Sequence, residues 1–230
     1  MWSRAVNKRP LITGFTLLEV LLSVSILAAI TVVTWMCFGT VTLAWRKGQT
    51  MADRLHHGDY IIEQVMMGLR SAYFPEGGRN RGIYGMWNED GGDGEQAEDW
   101  VSWVKLGGAL VGNDCPFAGS PHRVRLMVRD RDDGTRGLDV QAWRLHGQPD
   151  DFDPETVEAI QLPGAISGFN CRMAYELKDG VIDWLDVWEQ TNRLPTVVEI
   201  TFTLEPEDEG DAPLTVKRLV GIPVGVLSWQ

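Results

Sequence analysis

Between Phe15 and Trp45 this chain carries a single charged residue, Glu19. As a helix rising ~1.5 Å per residue the run would be on the order of 45 Å long, enough to span ~30 Å of bilayer hydrocarbon and project beyond it. The fourteen residues ahead of it, MWSRAVNKRPLITG, include Arg4, Lys8 and Arg9 and no acid. Positive residues before an apolar segment hold that end in the cytoplasm, so everything after Arg46 is expected on the other side of the membrane. The mean hydropathy of -0.13 and the 44% apolar content of the 230 residues conceal this asymmetry.

A secretory signal peptide also opens with a basic segment and an apolar stretch. Three features weigh against that reading. The stretch is too long for a signal core, no small-x-small cleavage site closes it, and it contains Glu19. A carboxylate inside a membrane segment costs on the order of 3 kcal/mol on insertion scales, so its presence needs a reason.

The residues Gly14-Phe15-Thr16-Leu17-Leu18-Glu19-Val20-Leu21 supply one. They resemble the processing site of type IV prepilins and of type II secretion pseudopilins. The resemblance implies that a prepilin peptidase cuts after Gly14 on the cytoplasmic side and methylates Phe15 as the mature N-terminus. Glu19 is then the fifth residue of the mature chain. In a helical stack of subunits its carboxylate can meet the N-terminal amine of a neighbouring Phe15, in surroundings with little water to screen the pair. The alternative is a simple membrane anchor whose Glu19 lies near the interface without a partner.

Downstream of the run, Leu55, Ile62, Val65, Met66 and Leu69 recur at three- and four-residue steps up to the Pro75 break. The helix is therefore expected to continue over 46–74, with its outer half against a globular domain and Asp53, Arg54, His56, His57, Glu63 and Gln64 on a solvated face. From Pro75 to Asp99 the sequence is rich in glycine and acid and reads as a long surface loop. Beyond it, strand candidates cover 100–106, 124–128, 138–145, 169–177, 181–187, 197–204 and 214–220, with turn chemistry in Asp130-Arg131-Asp132-Asp133-Gly134 and Lys178-Asp179-Gly180. The expected class is α+β: a basic leader (1–14), a membrane or filament-core helix (15–45), its amphipathic continuation (46–74) and a domain of antiparallel sheet (75–230) packed on the outer part of the helix.

Composition narrows the partners. The net charge of -11 argues against a nucleic-acid backbone as ligand. Three cysteines are too few for a disulfide scaffold and lack metal spacing. Cys37 lies in the apolar helix, while Cys115 and Cys171 are expected outside the cytoplasm, where either a bridge or two free thiols is open. No metal or other cofactor is implied. Calcium is worth weighing for the acid-rich loop, but Asp90, Asp93, Glu95 and Asp99 do not follow the spacing of a helix-loop-helix calcium loop, and Asp130, Asp132 and Gly134 lack downstream ligands. Among the ten tryptophans, Trp100, Trp103, Trp184 and Trp188 fall in or beside strand candidates, where core or sheet-face packing is expected and a minority can serve contacts between subunits.

A second stretch carries a narrower resemblance. Lys178-Asp179-Gly180, then Asp183-Trp184-Leu185-Asp186-Val187-Trp188, then Leu194-Pro195-Thr196-Val197-Val198-Glu199-Ile200 is similar to the J-type minor pseudopilins of type II secretion. The resemblance implies a structural subunit at the tip of a short periplasmic filament, anchored by one pass in the bacterial inner membrane. Its implied partners are other minor pseudopilins, the major pseudopilin, the prepilin peptidase, the inner-membrane assembly platform and membrane lipid. A minor pilin of a surface pilus, for adhesion or DNA uptake, is the alternative within that class. From another class, a membrane-anchored periplasmic enzyme or binding module is disfavoured, because no nucleophile elbow, zinc-binding histidine pair or phosphate loop is present. His122 and His146 are expected to be surface or satisfied residues, and no catalytic residue is assigned.

Overall fold

The computed structural model describes residues 15–75, 81–131, 134–164, 166–175, 177–178, 181–205 and 212–229, with backbone alone at 50–51, 53–58, 177–178 and 229. Gly14 and the rest of the basic leader lie outside the described residues. So do Asp132, Asp133, Asp179 and Gly180, and the side chains of Leu55, His56 and His57.

The protein is α+β, and among the described residues it holds helix α1 (Leu17–Arg70), ten strands and three short 3-10 turns. Its contacts divide it into two compact units, Met1–Asp53 and Arg54–Gln230. The first unit is the apolar part of α1, which contains Leu17–Gln49, a stretch long and apolar enough to cross a membrane and buried nowhere by the protein itself. Length and composition of this kind also suit a signal sequence.

The second unit contains the last turns of α1 and two separate antiparallel sheets. One has the order β1 (Trp87–Glu89), β2 (Trp100–Lys105), β3 (His122–Asp130), β4 (Arg136–Arg144) and β5 (Ala159–Gln161). The other has the order β10 (Leu214–Gly221), β9 (Val197–Leu204) and β6 (Ile166–Ala174), and β7 (Leu177–Lys178) with β8 (Val181–Ile182) forms a small hairpin. Alternation explains the packing, because successive residues of a strand face opposite sides. Val101 and Trp103, Val124 and Leu126, and Leu138 and Val140 turn inward from the first sheet, and Phe169, Cys171, Val198, Ile200 and Phe202 from the second. Ile61, Ile62, Val65, Met66 and Leu69, spaced at three and four along α1, join them in one core. The indole N–H of Trp103 donates to the Gly68 carbonyl at 2.9 Å, tying sheet to helix. A Cβ on Gly68 would come within 2.6 Å of Leu110, so glycine there permits the close approach.

Several expectations need correction. The antiparallel sheet domain expected is present, and among the described residues its strands are divided between two larger sheets and a small two-stranded one. The helix stops at Arg70 rather than at Pro75, because Ala72 pairs with Lys105 and Ser71 accepts from the Leu106 N–H, drawing the chain onto β2. The stretch 75–99 is not simply a surface loop: it holds a 3-10 turn (Arg81–Tyr84) and β1, and it buries Met86, Ala97 and Asp99. Phe169 N–H donates to Ala97 (2.8 Å) and Asp99 N–H to Phe169 (3.1 Å), binding this stretch along β6. Of 181–187 only Val181–Ile182 is strand, and Leu185 makes an isolated bridge to Met173. β1 and β5, three residues each, have no periodicity that could announce them.

Candidate functional site

The start of α1 brings Phe15, Thr16 and Glu19 together. Phe15 is 79% exposed, and the Glu19 N–H is held by both oxygens of Thr16, at 3.0 Å to its carbonyl and 3.3 Å to its hydroxyl. Thr16-Leu17-Leu18-Glu19 is thus the threonine half of a capping box, in which an N-cap hydroxyl takes an orphan N–H of the first turn. The pattern was present in the sequence as Ser/Thr-x-x-Glu ahead of an apolar run. It assigns Glu19 a local setting besides the filament pairing: the first turn, where the helix dipole favours a negative side chain.

Beyond the cap, the helix satisfies its own polar groups. Ser23, Ser25, Thr31, Thr34 and Thr42 each donate to the carbonyl four residues back, and Thr40 to Cys37, at 2.6–2.8 Å. A hydroxyl in hydrocarbon finds no water, so internal pairing removes the cost of putting these residues there.

In the domain, the residues of the J-type resemblance act in packing. Asn88 clamps the Trp184–Trp188 stretch, donating to the Asp186 carbonyl (2.6 Å) and accepting from Trp188 N–H (2.8 Å). Leu194 is buried, and its N–H donates to Ser228 Oγ at 2.9 Å. Glu199 accepts from Arg172 Nε at 2.9 Å and from Lys217 Nζ at 3.1 Å, so one carboxylate bridges β6, β9 and β10. Burial alone would raise its affinity for a proton, but the hydrogen bonds and charges of Arg172 and Lys217 outweigh that and hold the carboxyl below its ordinary range. A groove of about 350 Å³ runs over these side chains, with Asp93, Glu95, Asn170 and Thr201 also on its walls.

Three buried polar side chains were not foreseen. Asp99 accepts from Gly91 N–H (2.8 Å) and Cys171 N–H (2.7 Å). Burial, reinforced by Asp90 and Asp93, raises its pKa although both hydrogen bonds pull the other way. Lys105 and His122 face one another across β2 and β3, and both are fully buried, so of the two readings open for His122, surface or satisfied, burial excludes the first. Lys105 donates to the Gly107 carbonyl at 2.5 Å, and burial lowers its pKa to about 8 against a small upward pull from Cys115. His122 donates from Nδ1 to the Ser120 carbonyl (2.8 Å), while its Nε2 is buried without a partner. Burial and then Lys105 lower its pKa, against the Ser120 carbonyl. His146 is exposed and lies 3.2 Å from the Tyr84 hydroxyl.

Cys37, Cys115 and Cys171 are free thiols, so of the two open readings the structure holds unbridged cysteines. Cys171 is sealed in the middle of β6, where burial pushes its pKa up, whereas Cys115 is half-exposed in the loop between β2 and β3. Among the described residues no group of three or more His, Cys, Asp or Glu is placed to hold a metal ion. No family model matches the chain, and neither a curated protein nor a solved structure matches it.

Proposed function

We propose that this chain is a structural subunit of the pilin-like kind, a minor pseudopilin at the tip of a periplasmic type II secretion filament. The observation that carries the reading is the sequence Gly14-Phe15-Thr16-Leu17-Leu18-Glu19 standing at the head of a long, apolar, uncovered helix that leads into a β-sheet domain. The prepilin peptidase cleaves after Gly14 and methylates Phe15. The apolar helix moves from lipid into a bundle of like helices, trading one apolar environment for another at little cost in free energy. Glu19 of one subunit accepts from the Phe15 ammonium of the next, and the weak screening of that environment makes the pair a register mark. The domain, on the periplasmic side, meets the other minor pseudopilins and the major pseudopilin, while the assembly platform acts on the membrane-held form. No step of this role needs a cofactor or a catalytic residue.

The test is the N-terminal residue and intact mass of protein taken from membranes with and without a working prepilin peptidase. A chain beginning at methylated Phe15 only when the peptidase is present supports the proposal. A chain that keeps residues 1–14 in both cases sinks it.

A second reading, a membrane-anchored periplasmic domain that enters no filament, is favoured by one observation. The Thr16 cap gives Glu19 a place in a local helix start without any neighbour. Glutamine serves the same capping position as glutamate but carries no charge, so Glu19→Gln separates the readings.

A further inference from the structure

The sheet of β6, β9 and β10 has two edges, and the chain treats them differently. Along β6 the N–H of Phe169 donates to Ala97 (2.8 Å), that of Cys171 to Asp99 Oδ2 (2.7 Å) and that of Met173 to Leu185 (2.9 Å). The carbonyls of Phe169 and Met173 accept from Asp99 and Leu185 on the same side. Residues 169, 171 and 173 therefore turn their backbone groups away from β9, and Asn170 and Arg172 bond to it, because pairing alternates along an antiparallel ladder. Carried across the register, this phase bonds Val198, Ile200 and Phe202 to Val220, Arg218 and Val216. The bond from Ile222 N–H to the Thr196 carbonyl (2.9 Å) has the same phase. Thr215, Lys217, Leu219 and Gly221 are left pointing their N–H and C=O groups off the edge, and all four are exposed. Among the described residues the partner these groups find is the guanidinium of Arg218, which donates to the Lys217 carbonyl at 3.1 Å.

A row of open backbone groups over roughly 20 Å is a template for another strand. The edges of the five-stranded sheet offer no such row, since β1 and β5 are three residues each. Donor and acceptor pairs recurring every second residue, ~7 Å apart, are matched by another extended backbone. The side chains narrow which one. Lys217 lies against Glu199 (3.1 Å) and Arg218 against Asp59 (3.5 Å), so each cation of the edge has an acid beside it and charge is not what the edge selects. Leu219 is 53% exposed, and a Cβ on Gly221 would meet nothing within 4 Å. Gly221 is paired with half-buried Val197, so Leu219 and Val197 border an open gap on one face. A glycine gap at a sheet edge suits an aromatic side chain from the adjoining strand. A second copy fits worse. Face-preserving antiparallel overlap of two whole β10 strands sets Lys217 against Lys217 or Arg218 against Arg218, and like charges directly opposite are destabilising.

We propose that the free edge of β10 takes an extended, uncharged segment of another protein as a fourth, antiparallel strand. An aromatic side chain of that segment lies over Gly221, between Leu219 and Val197. The proposal does not rest on the filament reading, because it concerns the domain alone.

The test uses the full chain in detergent micelles and a fluorescent peptide, Ser-Thr-Val-Thr-Trp-Thr-Val-Thr-Ser, followed by anisotropy and by amide exchange along β10. In the free chain the N–H groups of Thr215, Lys217, Leu219 and Gly221 should exchange fast and those of Val216, Arg218 and Val220 slowly. The peptide should slow the first four about tenfold. The same peptide N-methylated at two consecutive central residues loses a donor from each of its edges and should bind about tenfold more weakly. Leu219→Pro removes an outward N–H and no bond to β9, and should weaken binding about tenfold. If its urea midpoint shows the strand itself to be damaged, Leu219→Lys, which takes away one wall of the gap, should weaken binding about threefold. Equal binding of the two peptides, no binding of either, or unchanged binding in both Leu219 variants would overturn the proposal. So would slow exchange of the four outward amides before peptide is added, or slowing that follows protein concentration alone, which would give the edge to a second copy.

Discussion

The helix over Leu17–Gln49 and the domain from Arg54 onward spend their apolar residues in opposite ways. In the helix Leu18, Trp35, Phe38 and Trp45 are all exposed, and backbone and hydroxyl groups are satisfied inside the helix itself. In the domain Trp103, Phe169, Ile200 and Phe202 are fully enclosed, and the polar groups reach across elements, as Asp99 does to β6. The helix is long and apolar enough to cross a membrane, and none of that stretch is enclosed by the protein itself. The domain encloses its own apolar residues. A tryptophan has a different energetic meaning in each unit, and only the surroundings say which.

The sharpest way to break this comparison is to remove one tryptophan from each. Trp103→Ala leaves a large cavity and removes the indole hydrogen bond to the Gly68 carbonyl, and should destabilise the domain by ~3–5 kcal/mol in urea titration. Trp35→Ala, the same change on an uncovered face, should leave the urea midpoint of the domain where it was. A comparable loss from Trp35→Ala would show that the domain draws part of its stability from the first unit, and the comparison would fail.

A smaller effect probes how the domain handles polar groups. Lys105 has a folded pKa of about 8 against an ordinary 10.5. Between those values the unfolded chain binds more protons, so stability should rise with pH across pH 8 to 10.5. The penalty is in full force below pH 8 and gone above 10.5, with a total of at most ~3 kcal/mol at 1.36 kcal/mol per unit. Lys105→Met should remove that rise and be no less stable than the parent at pH 8, since a buried charge with no acid partner among the described residues is replaced by an apolar chain of similar size. If the two proteins show the same pH profile, Lys105 is hydrated in solution.

The smallest effect belongs to the helix start. Thr16→Ala should cost ~1 kcal/mol of local helix stability, read as faster amide exchange over the first turn in micelles. Glu19→Gln should leave that exchange nearly unchanged. Loss of filament incorporation in Glu19→Gln with membrane insertion intact would assign Glu19 to pairing between subunits. Normal incorporation would leave it a helix-start residue.

The long elements were legible because one-dimensional patterns carry them. The uncharged run from Phe15, the three-and-four spacing of Ile62, Val65, Met66 and Leu69, and the alternation along β6 and β9 each encode burial directly in residue order. The Asp130–Gly134 turn was equally plain: Gly134 takes a positive φ, and its N–H closes on the Arg131 carbonyl at 2.9 Å. The candidate processing residues Gly14, Phe15 and Glu19 are likewise visible as sequence. The cap that Thr16 makes for Glu19 was readable too, from the threonine three residues before a glutamate.

Other features had no local signature. β1 exists because Trp87, Asn88 and Glu89 meet Ser102, Val101 and Trp100 across a sheet edge. The glycine-rich stretch behind it is held in place by Phe169, some seventy residues on. His122 and Lys105 look like surface residues in any window of sequence. Their burial follows from the pairing of β2 with β3 and from the loop between them, which places two bases where water does not reach. The amino-acid order by itself determined the long helix and the longer strands, and that Phe15–Trp45 is apolar enough to cross a membrane, because hydrophobic periodicity is a local property of the chain. Only the tertiary structure decided that the described strands form two larger sheets and which polar groups are buried, because long-range pairing sets both and composition does not.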